Sequence, residues 1–172
     1  MELTRDAAVW VGTYRKYNNG DLSGAWISLE TNNTPELFER AAAALHNDDP
    51  DPEIMIADFE NIPARYYGES SLEDGVWQWL ALDKEQREIV EAWLEGTSGA
   101  DSVEYILDHY IGSYESWDDF IYELVEGSGM LDSFPLDVRQ YFDYQSYAHD
   151  TEIGGGYSTG PASSGGIHIF AN

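Results

Sequence analysis

Residues 8–29, AVWVGTYRKYNNGDLSGAWISL, contain the first pattern that indicates a fold. Ala8 to Tyr14 is rich in β-branched and aromatic residues and predicts a β-strand. The segment Tyr17-Asn18-Asn19-Gly20 favours a turn, because Asn and Gly tolerate a positive φ. Ala25 to Leu29 then predicts the return strand of an antiparallel pair.

The residues that follow extend this pair into a small α+β unit of about sixty residues. Thr34 can cap a helix that has Pro35 at its first position. The apolar stripe of this helix comprises Leu37, Phe38, Ala41 and Leu45. Glu53 to Phe59 predicts a third strand.

Helical periodicity replaces the strand pattern after Ser71. Short helices are predicted at Trp77 to Leu82 and at Ile89 to Leu94, with Gly96 to Gly99 ending the second. Two amphipathic helices follow, because apolar residues recur at i, i+3, i+4 and i+7 from Val103 to Tyr110 and from Trp117 to Leu124. Val138 to Tyr147 predicts further helical turns.

The end of the chain combines a small-residue segment with a strand pattern. Residues Gly154 to Gly166 are almost all Gly, Ser, Thr, Ala or Pro, and we expect a mobile loop there. Ile167 to Phe170 has strand character. The fold class predicted from these patterns is α+β.

Composition predicts a folded protein with a strongly negative surface. The chain has 33 acidic and 8 basic residues, a formal net charge of -25, and its hydrophobic fraction is 42%. Acidic chains of low hydrophobicity are commonly disordered, but 14% aromatic residues is too many for a solvated tail. A negative surface disfavours direct binding of nucleic acids or anionic membranes and attracts cationic partners.

Several function classes lack support in the sequence. The absence of Cys excludes disulfides, thiolate zinc sites and thiol catalysis. The four histidines show no metal-ligand spacing, no nucleophile or phosphate-loop motif occurs, and the bases are scattered. We therefore expect no enzyme activity, no cofactor and no metal. Without a signal peptide or an apolar run of ~18 residues, we also expect a soluble cytoplasmic protein without a membrane partner.

The placement of the acids is the most informative feature. From Glu88 to Asp137 there are thirteen acidic residues and no Lys or Arg. On the predicted helices they lie opposite the apolar stripe. They are Glu88, Glu91, Glu95, Asp101, Glu104, Asp108, Glu115, Asp118, Asp119, Glu123, Glu126, Asp132 and Asp137.

This spacing is comparable with that of phosphates in DNA. Steps of three and four residues place carboxylates roughly 4.5 to 6 Å apart along a helix axis, and duplex DNA carries one phosphate per ~3.4 Å of each strand. Because like charges at i, i+4 destabilise a helix by roughly 0.2–0.5 kcal/mol per pair, this array of acids costs stability and calls for a functional explanation. We interpret the first eleven acids, Glu88 to Glu126, as candidate partner-binding groups that stand in for phosphates.

Two other interpretations remain open. A solvated acidic face, as in a halophilic or simply acidic protein-interaction domain, also has abundant Asp and Glu with scarce Lys. The acid-rich segment Asp48 to Glu53 resembles a calcium loop in composition but lacks the residue order of one. The aromatic residues Trp77, Trp79, Trp93 and Trp117 have the spacing of core residues. Among the acids, an exposed Tyr105, Tyr114 or Tyr122 could contribute to an interface.

Five segments, in the same chain order, resemble those of the ArdA antirestriction proteins, which plasmids, conjugative transposons and phages carry. They span nearly the whole chain and are specific as a set. They are Val11 to Tyr14 with Tyr17 to Gly20 and Gly24 to Ile27; His46 to Asp58; Tyr110 to Tyr114 with Ser116 to Phe120; Tyr141 to Tyr144 with Tyr147, Ala148 and Asp150; and Ile167 to Phe170.

The resemblance implies a specific architecture and function. It implies an elongated chain of three modules, at 1–61, 62–100 and 101–172, that forms a homodimer through its C-terminal part. It implies mimicry of bent B-form DNA and inhibition of type I restriction-modification enzymes at their specificity and methyltransferase core, in the cytoplasm of the host bacterium. The segment overlapping the family's antirestriction motif contains Tyr105, Tyr110, Gly112, Tyr114 and Phe120.

Overall fold

The computed structural model describes residues 6–48, 51–99 and 102–172 of the 172-residue chain. It is a mixed α+β protein, which confirms the predicted fold class. The chain divides into two compact units, Met1–Asp83 and Lys84–Asn172. Each unit contains a three-stranded antiparallel sheet.

The N-terminal unit contains the two strands predicted in residues 8–29, but a short helix that was not predicted, Tyr14–Asn18, precedes the turn between them. Strand β1 lies at the centre of the sheet, in the order β2-β1-β3. In chain order its elements are β1 (Ala8–Thr13), α1 (Tyr14–Asn18), β2 (Ala25–Ser28), α2 (Pro35–Leu45), β3 (Ile54–Glu60), a single 3-10 turn (Ala64–Tyr66) and α3 (Gly75–Leu80).

Local hydrogen bonds account for the helix starts in this unit. The Thr34 side chain accepts a hydrogen bond from the Leu37 N–H at 3.3 Å, and Pro35 occupies the first turn, as predicted. Thr13 caps α1 in the same way by accepting from the Lys16 N–H. Because of this cap, β1 ends one residue earlier than the sequence pattern suggested.

The N-terminal core lies on one face of the sheet. Val9 and Val11 on β1, Ile56 on β3 and the adjoining Leu29 are fully buried. Alternate residues of a strand point to opposite faces. Trp10 and Gly12 therefore lie on the other face of β1.

The C-terminal unit combines helices with the second sheet, in the order β4-β6-β5. Its apolar cluster is built by α6, α8 and β6, with Phe120, Ile121, Val125 and Ile169 nearly inaccessible to solvent. The elements are α4 (Lys84–Gly96), α5 (Val103–Asp108), β4 (Tyr110–Tyr114), α6 (Trp117–Gly127), α7 (Leu136–Arg139), α8 (Tyr144–Ile153), β5 (Tyr157–Pro161) and β6 (Ile167–Ala171).

Two expectations for this unit are wrong. The segment Gly154 to Gly166 is not a loop throughout, because Tyr157–Pro161 pairs with β6 as strand β5. Tyr110 does not continue the helix from Val103, because the His109 carbonyl accepts a hydrogen bond from the Ala171 N–H at 2.8 Å and turns the chain into the sheet. In both cases pairing with β6 outweighs the local sequence preference.

The predicted short helices of residues 62–100 fall on both sides of Asp83. Helix α3 belongs to the N-terminal unit and α4 to the C-terminal unit. The division into three modules stays a prediction. None of the helices within the described ranges is long and apolar enough to cross a membrane.

Gly160 allows β5 to approach helix α4. A Cβ atom at this position would overlap the carbonyl oxygen of Ala92. We expect Gly160→Ala to lower the free energy of unfolding by roughly 1–3 kcal/mol, the usual cost of overpacking, measured by urea denaturation. Gly156→Ala is the control, because its Cβ would meet no atom within 4 Å. Equal stability of the two variants would contradict this packing role.

Candidate partner-binding surface

The acids predicted on α4 differ in accessibility. Glu95 is exposed, whereas Glu88 and Glu91 are half-buried. Burial, followed by repulsion from Glu95 and Glu88, raises the pKa of the Glu91 carboxyl above its ordinary value. Helix α4 thus presents one fully accessible carboxylate of the three predicted.

Glu88 makes an internal contact that the sequence did not reveal. Its Oε1 accepts a hydrogen bond from the Ser163 N–H at 2.9 Å and lies 3.5 Å from Nε2 of the buried His168. Hydrogen bonds from the Ser163 side chain and backbone hold the pKa of Glu88 below its ordinary value. The contact connects α4 with the turn between β5 and β6.

Helix α5 presents both of its described acids to solvent. Glu104 and Asp108 are exposed, while Val103 and Ile106 are buried beneath them. Ser102 caps the helix by accepting a hydrogen bond from the Tyr105 N–H at 3.1 Å. Asp101, the remaining acid predicted for this helix, lies outside the described residues.

Helix α6 carries the densest group of exposed acids. Asp118, Asp119, Glu123 and Glu126 are all exposed on it. Glu115 is exposed but precedes the helix, because Ser116 is the N-cap and accepts the Asp119 N–H at 3.2 Å. The helix therefore contains four of the five acids predicted around it.

Two tyrosine hydroxyls donate hydrogen bonds to acids of α6. Tyr114 on β4 donates to Glu123 at 3.3 Å, and Tyr144 on α8 donates to Glu126. The hydrogen bond to Glu126 raises the pKa of the Tyr144 phenol from 10.0 to about 12. These contacts fix two carboxylates relative to the helix. Tyr144 was not predicted, because the contact joins residues 18 positions apart.

The five residues that the family resemblance predicts for the antirestriction motif divide into core and surface. Phe120 is buried and packs edge-to-face on Tyr114, with ring centroids 5.2 Å apart. Gly112 lies beside the Tyr114 ring in β4. Tyr110 is half-buried with its hydroxyl 3.1 Å from Nδ1 of His168. Tyr105 is 37% exposed on α5. Tyr105 is the one exposed residue of the five, and its ring stacks on that of His109 with centroids 3.9 Å apart.

Basic residues do little to neutralise the C-terminal unit. Residues 84–172 contain 17 acidic and 3 basic residues. Of the three, Arg139 is engaged locally, because its guanidinium donates to the Asp132 carboxylate at 3.1 Å and to the Phe134 carbonyl at 3.0 Å. The exposed acids on α5 and α6 thus lie in a unit that has few bases to offset their charge.

The described acids of this surface are spread along helices and are not gathered into a metal-binding cluster. Within residues 6–48, 51–99 and 102–172, no group of three or more His, Asp or Glu side chains is arranged to hold a metal ion. The exposed acids instead follow α5 and α6, with the two apolar helix faces buried beneath them. Such an arrangement suits electrostatic binding of a cationic surface.

These features define an acidic α+β protein with a charged candidate interaction surface. The chain belongs to the ArdA family of antirestriction proteins, whose family model matches residues 9–163. The match includes residues of both compact units. No curated protein matches the chain.

The hydrogen bond between Glu88 and Ser163 predicts that the stability of the fold depends on pH. An acid whose pKa is lowered by folding stabilises the fold above its unfolded pKa, and this contribution is lost as the pH falls through the folded pKa. We expect Glu88→Gln to lower the free energy of unfolding at neutral pH by roughly 0.5–1.5 kcal/mol. The difference from the wild type should shrink below the ordinary pKa of 4.5.

Urea denaturation followed by circular dichroism at several pH values would measure this difference. Glu95→Gln is the matched control, since it removes an exposed acid from the same helix. A deficit for Glu88→Gln that is constant between neutral and acidic pH would show that the charge of Glu88 is not responsible.

Proposed function

We propose that this chain is a DNA mimic that inhibits type I restriction-modification enzymes by occupying their DNA-binding cleft. Its membership of an antirestriction family supports inhibition of restriction. The exposed acids on α5 and α6 support the mechanism, because a cleft that binds phosphates offers positive groups to any array of anions.

The observation that carries this proposal is the exposure of acids on well-supported helices. Glu104, Asp108, Asp118, Asp119 and Glu123 are all exposed. Both helices bury an apolar face and begin at a serine cap. Acids on such helices need little ordering when a partner binds, so less free energy of binding is lost to conformational entropy.

The proposed partner is the specificity and methyltransferase core of the enzyme, and the proposed location is the cytoplasm of the host bacterium. The protein is also proposed to act as a homodimer. Support for self-association comes from segment 130–141, in which five large apolar residues are exposed to solvent. They are Met130, Phe134, Leu136, Val138 and Tyr141.

The proposal predicts that binding depends on which acids are removed as well as how many. The triple variant Glu104→Gln, Asp108→Asn, Asp118→Asn should inhibit roughly tenfold more weakly, because each exposed ion pair contributes roughly 0.2–1 kcal/mol. Each single change should be nearly silent. The measurement is competition between the purified protein and a duplex target oligonucleotide for a type I methyltransferase.

The control for this experiment has the same net charge. Glu39→Gln, Asp150→Asn, Glu152→Gln removes three exposed acids from α2 and α8. It should inhibit like the wild type if the surface on α5 and α6 makes the contact. Equal weakening by both triple variants would favour net charge over a defined surface. Failure of the wild type to displace DNA from any type I enzyme would refute the proposal.

A halophilic or acidic interaction domain unrelated to DNA mimicry responds differently to salt. Exposed charges more than about 10 Å apart are largely screened at 0.1 M salt. We expect this protein to stay folded at low salt and to lose affinity for the restriction enzyme as salt rises. Circular dichroism and the competition assay, run over one salt series, would measure both. Unfolding at low salt would favour the halophilic interpretation.

A further inference from the structure

A second candidate binding site lies in the N-terminal unit, on the face of the sheet opposite Val9 and Val11. It is a cavity of about 210 Å³ between strands β1 and β3, helix α1 and the segment before β2. Small-molecule sites usually measure roughly 300–1,000 Å³. This cavity is therefore suited to one inserted side chain. It is lined by Trp10, Gly12, Thr13, Tyr17, Asp21, Leu22, Ser23, Met55 and Ala57.

The chemistry of the walls is mostly aromatic and apolar. Trp10 and Tyr17 contribute an indole and a phenol, and Met55 contributes a thioether. Trp26 lies beside Trp10 with ring centroids 5.8 Å apart, and it is itself 42% exposed. Aromatic faces attract cations, most strongly when the cation is planar and weakly hydrated.

One carboxylate gives the cavity its charge. Asp21 is exposed and its Oδ1 accepts the Ser23 N–H at 2.9 Å. This hydrogen bond is the main cause that holds the pKa of Asp21 below its ordinary value. The neighbouring ammonium of Lys16 lies 3.0 Å from Asp48, which compensates its charge.

We propose that this cavity binds an arginine side chain of a protein partner, with the guanidinium against the aromatic walls and paired with Asp21. A guanidinium has apolar faces and donors at its edge, so it can contact rings and a carboxylate together. A lysine ammonium is more strongly hydrated and has no such faces. A chain of net charge -25 attracts partners rich in basic residues.

In the setting of the proposed function, on which this step rests, the arginine belongs to the basic DNA-binding cleft of the restriction enzyme. The cavity would then contribute one strong contact in addition to the many weak contacts that the acids of α5 and α6 are proposed to make. Interfaces commonly contain a few such buried anchors, with Arg among the residues that fill them. Gly12, Thr13 and Tyr17 also belong to the opening segment of the family resemblance.

The test needs no restriction enzyme. The full-length protein is titrated with Nα-acetyl-arginine amide and followed by NMR at the Trp10 indole N–H and the Met55 methyl group. We expect saturable shifts at these two groups with roughly millimolar affinity, as for a single side chain. Two control compounds should bind much more weakly. The citrulline analogue has a similar shape but no charge, and the norleucine analogue has an apolar side chain.

Variants of the cavity sharpen the result. Asp21→Asn keeps an acceptor for the Ser23 N–H and should weaken arginine binding by roughly two- to fivefold. Gly12→Val should abolish it by filling the cavity, since a Cβ at Gly12 would make only ordinary contacts, 3.7 Å from the Ser23 carbonyl oxygen and 3.9 Å from Met55 Cε. Glu39→Gln removes an exposed acid of α2 that does not line the cavity, and should change nothing.

Two outcomes would overturn the assignment: equal binding of the arginine and citrulline compounds, or the absence of saturable shifts at Trp10 and Met55. The assignment would also be overturned if the Gly12→Val variant kept the wild-type NMR spectrum outside the cavity and still bound the arginine compound. Failure of the DNA-mimic proposal would show itself separately, as arginine binding without any inhibition of a type I enzyme.

Discussion

Self-repulsion among carboxylates is the constraint that the rest of the structure must satisfy. With a net charge of -25, the folded chain holds like charges closer together than the unfolded chain would. The apolar cores supply the opposing free energy, through Val9, Val11 and Ile56 in one unit and Phe120 and Val125 in the other. Each acidic helix can exist because its opposite face is buried in such a core.

Hydrogen bonds from neutral groups stabilise several of the acids without adding positive charge. The Ser116 hydroxyl donates to Asp119, and the hydroxyls of Tyr114 and Tyr144 donate to Glu123 and Glu126. Neutral donors stabilise a carboxylate and leave its charge in place. A lysine in place of such a donor would also stabilise the carboxylate but would cancel its negative charge. The choice of neutral donors therefore preserves the property on which electrostatic recognition depends.

The two candidate surfaces use different physical means of binding. On the surface proposed for α5 and α6, each of many exposed charges is expected to contribute a little, which favours fast, salt-sensitive association. In the cavity beside Trp10, one exposed carboxylate and several apolar groups are proposed to contact a single side chain. The acids of α5 and α6 are therefore expected to tolerate differences in the partner's shape, whereas the cavity is expected to select for an arginine side chain.

The sequence by itself determined the features that depend on neighbours along the chain. It determined the three N-terminal strands, the Thr34 cap, the buried faces of α4 and α6 and the exposure of most acids on α5 and α6. The stripe predicted for α2 is wrong at Leu37 and Leu45, which are exposed, because this helix buries Phe38 and Ala42 instead. Only the tertiary structure decided which residues meet from distant parts of the chain. Pairing with β6 makes a strand of Tyr157–Pro161, and packing against that hairpin turns Glu88 into an internal contact. Periodicity records which face of a helix is apolar, but strand pairing and side-chain contacts depend on groups up to 75 residues apart, which no local pattern encodes.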